Sequence, residues 1–450
     1  MKRKIYNKLL EWKQLDNRRT ALLVDGARRV GKSYIVEKFA KNEYKSYLLI
    51  DFSNVHSDVI GFFEHYLTDL SELFLRLSLF YRVPLFEHDT LFIFDEVQFY
   101  PPARAAIKHL VADGRYDFIE TGSLVSINKN VKDILIPSEE RRVKMYPMDF
   151  EEFLWAMGVD DLMPFVQDCF HKQQPLGQAF HRRALDYFRQ YLIVGGMPQA
   201  VNEYVSTRDF VKTDRVKRDI LDLYRSDIRK YAQGAERKVV QVFNTLPAQL
   251  QKHEKKFRLS ALKRGARFRD YESAFFWLEE SMVVNMCYAA TEPSVGLRLK
   301  MDEATLKCYM GDTGLLISLA FDEAETTDGN LFSKLMLGKL ELNKGMLVEN
   351  VVAQMLKATG HELYFFSAYS KADSQETMEI DFLVRKRDAT SRHNIIPLEV
   401  KSTSHYTHSS IDKFNRKYGQ YLAPPIVLHT GDFKHERGIS YLPIYMTPCL

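Results

Sequence analysis

The chain has 450 residues, 46% of them hydrophobic and 27% charged, with a net charge of +4; this length favours two to four cores, and the composition excludes a disordered or low-complexity polymer. No apolar run approaches the roughly 18–20 residues that span a bilayer, and the opening MKRKIYNKLLEWKQLDNRR lacks the apolar core of a signal peptide, so a cytoplasmic protein without a membrane partner is expected. The cysteines Cys169, Cys287, Cys308 and Cys449 stand far apart with no CxxC pair, which argues against a disulfide framework and against zinc.

In chain order, TALLVDGARRVGKSYIVEKFA (20–40) runs from an apolar strand through a tight turn into a helix whose Ile35, Val36 and Phe39 share one side. Within it Gly26, Ala27, Arg28, Arg29, Val30, Gly31, Lys32 and Ser33 match G-x-x-x-x-G-K-[ST], with Tyr34 next. The glycines let backbone N–H groups curl around phosphates, and the helix N-terminus adds its dipole. Lys32 is expected on the β/γ-phosphates of ATP and Ser33 on Mg²⁺. A second apolar strand, TLFIFDEVQ (90–98), ends in Asp95, expected to hold Mg²⁺ through water, and Glu96, expected to orient or deprotonate the attacking water. A third, YDFIETGS (116–123), offers Thr121 and Ser123 toward the γ-phosphate. Arg141 or Arg142 is either an arginine finger or part of a solvated charge run.

Together with the YPMDFEEFL box and YLIVGGMPQAV, these motifs resemble bacterial AAA-type P-loop ATPases that carry a C-terminal domain of unknown function, similar in organisation to archaeal and signal-transducing ATPases. That resemblance places Gly196 and Pro198 against the adenine. A finger acting in trans would require a homo-oligomer.

Residues 151–235 then read as a helical lid, with apolar positions recurring every three and four residues. Residues 207–270 hold 18 Lys/Arg against 8 Asp/Glu, a local +10 that leaves −6 elsewhere; they either face a polyanion or form solvated helix faces. The order helix (VVQVFNTLPAQLQ), short strand and helix (KKFRLSALKRGA), helix (DYESAFFWLEESMVV), strand (NMCYAA) is that of a winged helix, with Lys263, Arg264, Arg267 and Arg269 placed for DNA phosphates.

In the last third, an amphipathic helix (343–360) with Glu349 at its edge precedes three strands, HELYFFSA, EIDFLVRK with Asp381, and NIIPLEVKS with Glu399 and Lys401. This order resembles a PD-(D/E)XK nuclease core. Glu349, Asp381, Glu399 and the Val400 carbonyl would share a second divalent metal, Mg²⁺ or Mn²⁺, with Lys401 positioning water or stabilising phosphorane charge.

The expected fold is therefore multidomain α/β: an AAA-type P-loop domain at 1–155, a helical lid at 156–235, a winged helix at 236–330 and a nuclease-like domain at 335–450. The expected activity is Mg²⁺-dependent ATP hydrolysis coupled to DNA binding or cleavage. The alternative is an ATP-dependent signalling or interaction switch whose nuclease-like domain is inert.

Overall fold

The computed structural model describes the chain except residues 17–18, 123–138, 233, 253–254, 295, 322–331, 333, 335, 337–343, 371–372, 387–392 and 403–407. It divides into two compact units, Met1–Tyr146 and Pro147–Leu450.

In the first unit, α1 (Ile5–Leu15), β1 (Ala21–Gly26), α2 (Lys32–Glu43), β2 (Ser46–Asp51), α3 (Ser57–Tyr66), α4 (Leu70–Tyr81), β3 (Thr90–Asp95), α5 (Pro101–Asp113), β4 (Asp117–Gly122) and β5 (Glu140–Met145) follow in order. Its sheet is parallel throughout, in the order β2-β3-β4-β1-β5. Every residue of β1, β3 and β4 is buried. That is why they read as continuous apolar runs: helices cover both faces of a parallel sheet. Phe52, Phe63, Phe74, Phe92, Phe94 and Phe118 fill one core layer against it. Local chemistry sets the helix starts. The Asp69 carboxylate accepts Glu72 N–H at 3.2 Å to cap α4, and two prolines open α5, where N–H groups have no helical partner.

The second unit begins with helices α6 (Phe150–Ala156), α7 (Leu162–Lys172), α8 (Gln178–Val194), α9 (Pro198–Thr207), α10 (Phe210–Tyr231), α11 (Glu236–Leu250) and α12 (Phe268–Glu280). Asp149 and Glu152 form a capping box at α6, their reciprocal bonds measuring 2.9 and 3.2 Å. After β6 (Val284–Ala290), β7 (Met301–Met310), α13 (Thr313–Ala320) and α14 (Lys344–Ala358) come β8 (Tyr364–Ala368), β9 (Met378–Arg385), β10 (Ile395–Val400), α15 (Ser409–Tyr418), β11 (Ile426–His429), β12 (Lys434–Glu436) and β13 (Ile439–Pro443). Among the described residues these strands form one mixed eight-stranded sheet, ordered β12-β13-β11-β10-β9-β8-β6-β7.

Two features of this unit differ from the sequence expectation. The short strand expected after α11 reduces to one backbone bond, Phe257 N–H to Leu306 C=O at 2.8 Å, followed by a 3₁₀ turn at Leu259–Ala261. The hairpin β6–β7, which a winged helix would keep to itself, joins the C-terminal sheet because β6 pairs parallel with β8 (Tyr288 opposite Tyr364). A division at 330–335 thus falls inside the span of one sheet. The helices are also tied to the chain's end: the Asp432 carboxylate accepts Leu176 and Gly177 N–H at 3.0 and 2.9 Å, and Tyr445 packs edge-on against Phe188. No described helix is long and apolar enough to cross a membrane.

Candidate nucleotide site and the C-terminal carboxylate cluster

The loop after β1 turns through left-handed backbone at Arg29 (φ 68°) and Gly31 (φ 94°), then opens α2 at Lys32. Gly26 is there for proximity. A Cβ on it would stand 2.4 Å from the Met145 carbonyl oxygen of the neighbouring strand. Val30 and Ala27 are buried, whereas Arg28, Arg29 and Tyr34 are exposed. Arg3, which sequence reading missed, is buried and grips the Val30 carbonyl (2.8 Å) and the Tyr146 carbonyl (2.6 Å), fixing the loop to the end of β5.

Lys32 Nζ donates to the Gly26 and Ala27 carbonyls at 2.8 and 3.1 Å, so the loop holds its ammonium inside its own curl. Burial lowers the Lys32 pKa, against the opposing pull of Glu96, Asp25 and Asp95. The intervening strand β4 links the loop to β3. Ser33 Oγ donates to Asp95 Oδ1 at 2.8 Å, Thr121 Oγ1 donates to the same oxygen, and Glu96 N–H donates to Thr121 Oγ1 at 3.2 Å. Glu96 itself adopts left-handed backbone (φ 52°), and its carboxylate accepts from Gln98 Nε2. Such φ values are uncommon outside glycine and here turn the chain directly after the strand. The pair that would hold Mg²⁺, a hydroxyl and a carboxylate at a helix N-terminus, is therefore adjacent, and the donor set suits a hard cation. Ser123 lies outside the described residues.

The two finger candidates sit on β5 opposite Leu22 and Leu23, three to four residues before the pair Gly26–Met145. At ~3.3 Å per residue that is roughly 10–13 Å from the end of the strand that carries the loop. Arg141 pairs with Asp16 at 2.9 Å and Arg142 with Glu140 at 2.8 Å. Glu140 is buried because Arg104, itself 1% exposed, forks onto it at 2.8–3.2 Å. Burial and the neighbouring Glu140 push the Glu120 carboxyl well above the usual range.

Gly196 and Pro198 lie in the second unit, in the turn between α8 and α9, where Pro198 is the first residue of α9. Asp312 holds this turn. Its carboxylate accepts Gly196 N–H at 2.5 Å, caps α13 through Leu315 N–H at 2.9 Å, and receives Gln354 Nε2 of α14 at 3.4 Å. A Cβ on Gly195 (φ 79°) would strike Asp312 Oδ1 at 2.2 Å. Lys217, fully buried in α10, donates to the Ile193 and Gly314 carbonyls at 2.9 and 3.3 Å and lies 3.5 Å from Asp214. Part of the basic segment is thus core, while Lys263, Arg264, Arg267 and Arg269 are exposed.

In the C-terminal sheet, the β9–β10 register (Phe382 opposite Leu398) sets Asp381 across from Glu399, on one face with Lys401. Asp381 Oδ2 accepts Val400 N–H at 2.8 Å, and Lys401 pairs with Glu399 at 2.8 Å. Burial raises Glu399 to about 7 against the pull of Lys401, and burial with Glu349 raises Asp381. The sequence reading missed Lys307. This β7 side chain, 1% exposed, lies 3.0 Å from Glu379, 3.3 Å from Glu349 and 3.8 Å from Asp381. Glu349 also receives Lys255 and the Tyr309 hydroxyl. Burial alone would raise Glu349, but Lys307 and Lys255 hold it down at about 2. Among the described residues no group of three His, Cys, Asp or Glu could hold a metal ion. Where the sequence places a divalent metal, Lys307 and Lys255 stand against Glu349 and Lys401 against Glu399. A lysine inside the apolar strand TLKCYM was as visible in sequence as Glu399, and the same desolvation argument would have found it.

Among solved structures, the fold is similar to the Walker-type ATPase PABY2304 of Pyrococcus abyssi (14% identity, 71% of this chain and 95% of that one, TM-score 0.44). It is also similar to Orc1 of Aeropyrum pernix, solved in complex with DNA (10% identity, 72% and 93%, TM-score 0.29), and to Cdc6p of Pyrobaculum aerophilum (11% identity, 75% and 93%, TM-score 0.24). An uncharacterized protein of Haemophilus influenzae is 24% identical over 155 residues, covering 34% of this chain and 38% of that relative's length. Two domains of unknown function match, DUF8612 over residues 185–326 and DUF4143 over residues 344–447. An AAA domain matches residues 18–154, the segment that carries the phosphate loop, β3 and β4. This segment is similar to an AAA domain, and its described strands form the parallel sheet of the first unit.

Proposed function

We propose that the chain is a Mg²⁺-dependent ATP-binding and ATP-hydrolysing switch whose nucleotide state acts on its second unit. The observation that carries this reading is the Ser33–Asp95–Thr121 hydrogen-bonded set beside the phosphate loop. Gly26 to Tyr34 would wrap the phosphates with backbone N–H groups, and Lys32 would exchange its two loop carbonyls for phosphate oxygens. Ser33 and Asp95 would hold Mg²⁺, which when bound neutralises charge on the β- and γ-phosphates. Thr121, bonded to both Asp95 and Glu96, keeps the two acids in fixed relation. Glu96 would orient or deprotonate the attacking water. Gly196 and Pro198 are assigned to the adenine by resemblance, since a proline offers a rigid apolar face with no N–H to satisfy. The positions of Arg141 and Arg142 favour a role for either one only toward a second copy of the chain.

The exposed Lys263, Arg264, Arg267 and Arg269 favour contact with a nucleic-acid backbone by the segment around α12. Steady-state hydrolysis of Mg-ATP by the full chain tests the reading: wild type turns over ATP, and Lys32→Ala loses nucleotide binding. Equal ATP affinity in the two proteins would contradict it.

A further inference from the structure

We infer that the Lys307 ammonium is the resident cation of the C-terminal carboxylate cluster, which is an internal ion-pair node and takes no divalent metal. Oxygens of Glu349, Glu379 and Asp381, from α14 and β9, stand 3.3, 3.0 and 3.8 Å from one nitrogen, so any two lie within about 7 Å of each other. A divalent ion shared by Glu349 and Asp381 with ~2.0–2.6 Å bonds would have to lie close to this ammonium. The lysine extends from β7 over the Phe365 ring, 5.0 Å from its centroid, and is 1% exposed.

Neighbouring acceptors have partners of their own. Glu349 takes Lys255 and Lys307 on separate oxygens, Asp381 uses its second oxygen for Val400 N–H, and Glu399 is held by Lys401. Adding a divalent ion would set two more positive charges against a buried ammonium. Buried charges persist when paired and bonded, and this set is both. Lys401 is accordingly a partner of Glu399, and the cluster supplies no metal for phosphodiester cleavage.

Electron paramagnetic titration of the nucleotide-free full chain with Mn²⁺ tests this. Wild type and Asp381→Asn should bind Mn²⁺ identically, and neither should nick supercoiled plasmid in Mn²⁺. A Mn²⁺ site present in wild type and lost in Asp381→Asn would overturn the inference. Lys307→Met keeps an unbranched apolar stem, one heavy atom shorter, and removes the charge. Folded, it should gain one Mn²⁺ site and a Mn²⁺-dependent rise in melting temperature of several degrees that wild type lacks. A folded Lys307→Met that gains no site would equally refute it, and should that variant not fold, the wild-type and Asp381→Asn comparison decides alone.

Discussion

Replacing Asp312 with alanine removes one side chain that serves three elements at once. Its carboxylate caps α13, satisfies the buried Gly196 N–H, and meets Gln354 of α14. Losing a helix cap costs ~1 kcal/mol, and leaving a buried N–H without an acceptor costs ~1–3 kcal/mol. Burial already raises the Asp312 pKa against the pull of these N–H groups and Lys217, so the network tolerates the charge only while the bonds persist. The expected loss is thus ~2–4 kcal/mol, which at ~2 °C per kcal/mol for a unit of this size lowers the melting temperature by ~4–8 °C. Asp312→Asn retains an acceptor for one N–H and should lose roughly half as much. Calorimetry on the two variants measures this. A shift below ~1 °C for Asp312→Ala would refute the claim that this carboxylate holds the Gly195–Pro198 turn.

Gly26→Ala should destabilise the first unit by ~1–3 kcal/mol and weaken ATP binding, because the new methyl meets a backbone oxygen at 2.4 Å and β1 must part from β5; unchanged thermal unfolding would contradict the packing argument. Glu399→Gln should flatten the pH dependence of stability between about 7 and 4.5. Burial raises the folded-state pKa to about 7, so wild type binds a proton more tightly folded than unfolded and gains stability as pH falls through that window, whereas the amide does not. Urea midpoints at pH 5 and pH 8 read the difference, and parallel profiles for the two proteins would exclude it.

Much of the first sheet was legible because burial on both faces of a parallel sheet leaves strands β1, β3 and β4 as apolar runs with the candidate site residues at their ends. The edge strand β5 was hidden. ERRVKM reads as a charge run, and only the structure reveals that Glu140 is swallowed by Arg104 from α5. Partners distant in sequence were equally invisible: Arg3 on the phosphate-loop carbonyl, Asp312 on Gly196, and Lys255 and Lys307 on Glu349. Pattern rules report which side chains are buried, not which opposite charge arrives from another element. Parallel pairing of β6 with β8, separated by more than seventy residues, has no local sequence mark either.

The central claim is that Glu96 acts on the attacking water beside a phosphate loop that binds ATP. It is tested most directly by measuring ATP affinity and single-turnover hydrolysis of Glu96→Gln in Mg²⁺. The account predicts wild-type affinity with turnover slowed by more than ~100-fold, since the water alone loses its orienting carboxylate. Turnover of Glu96→Gln at the wild-type rate would contradict it.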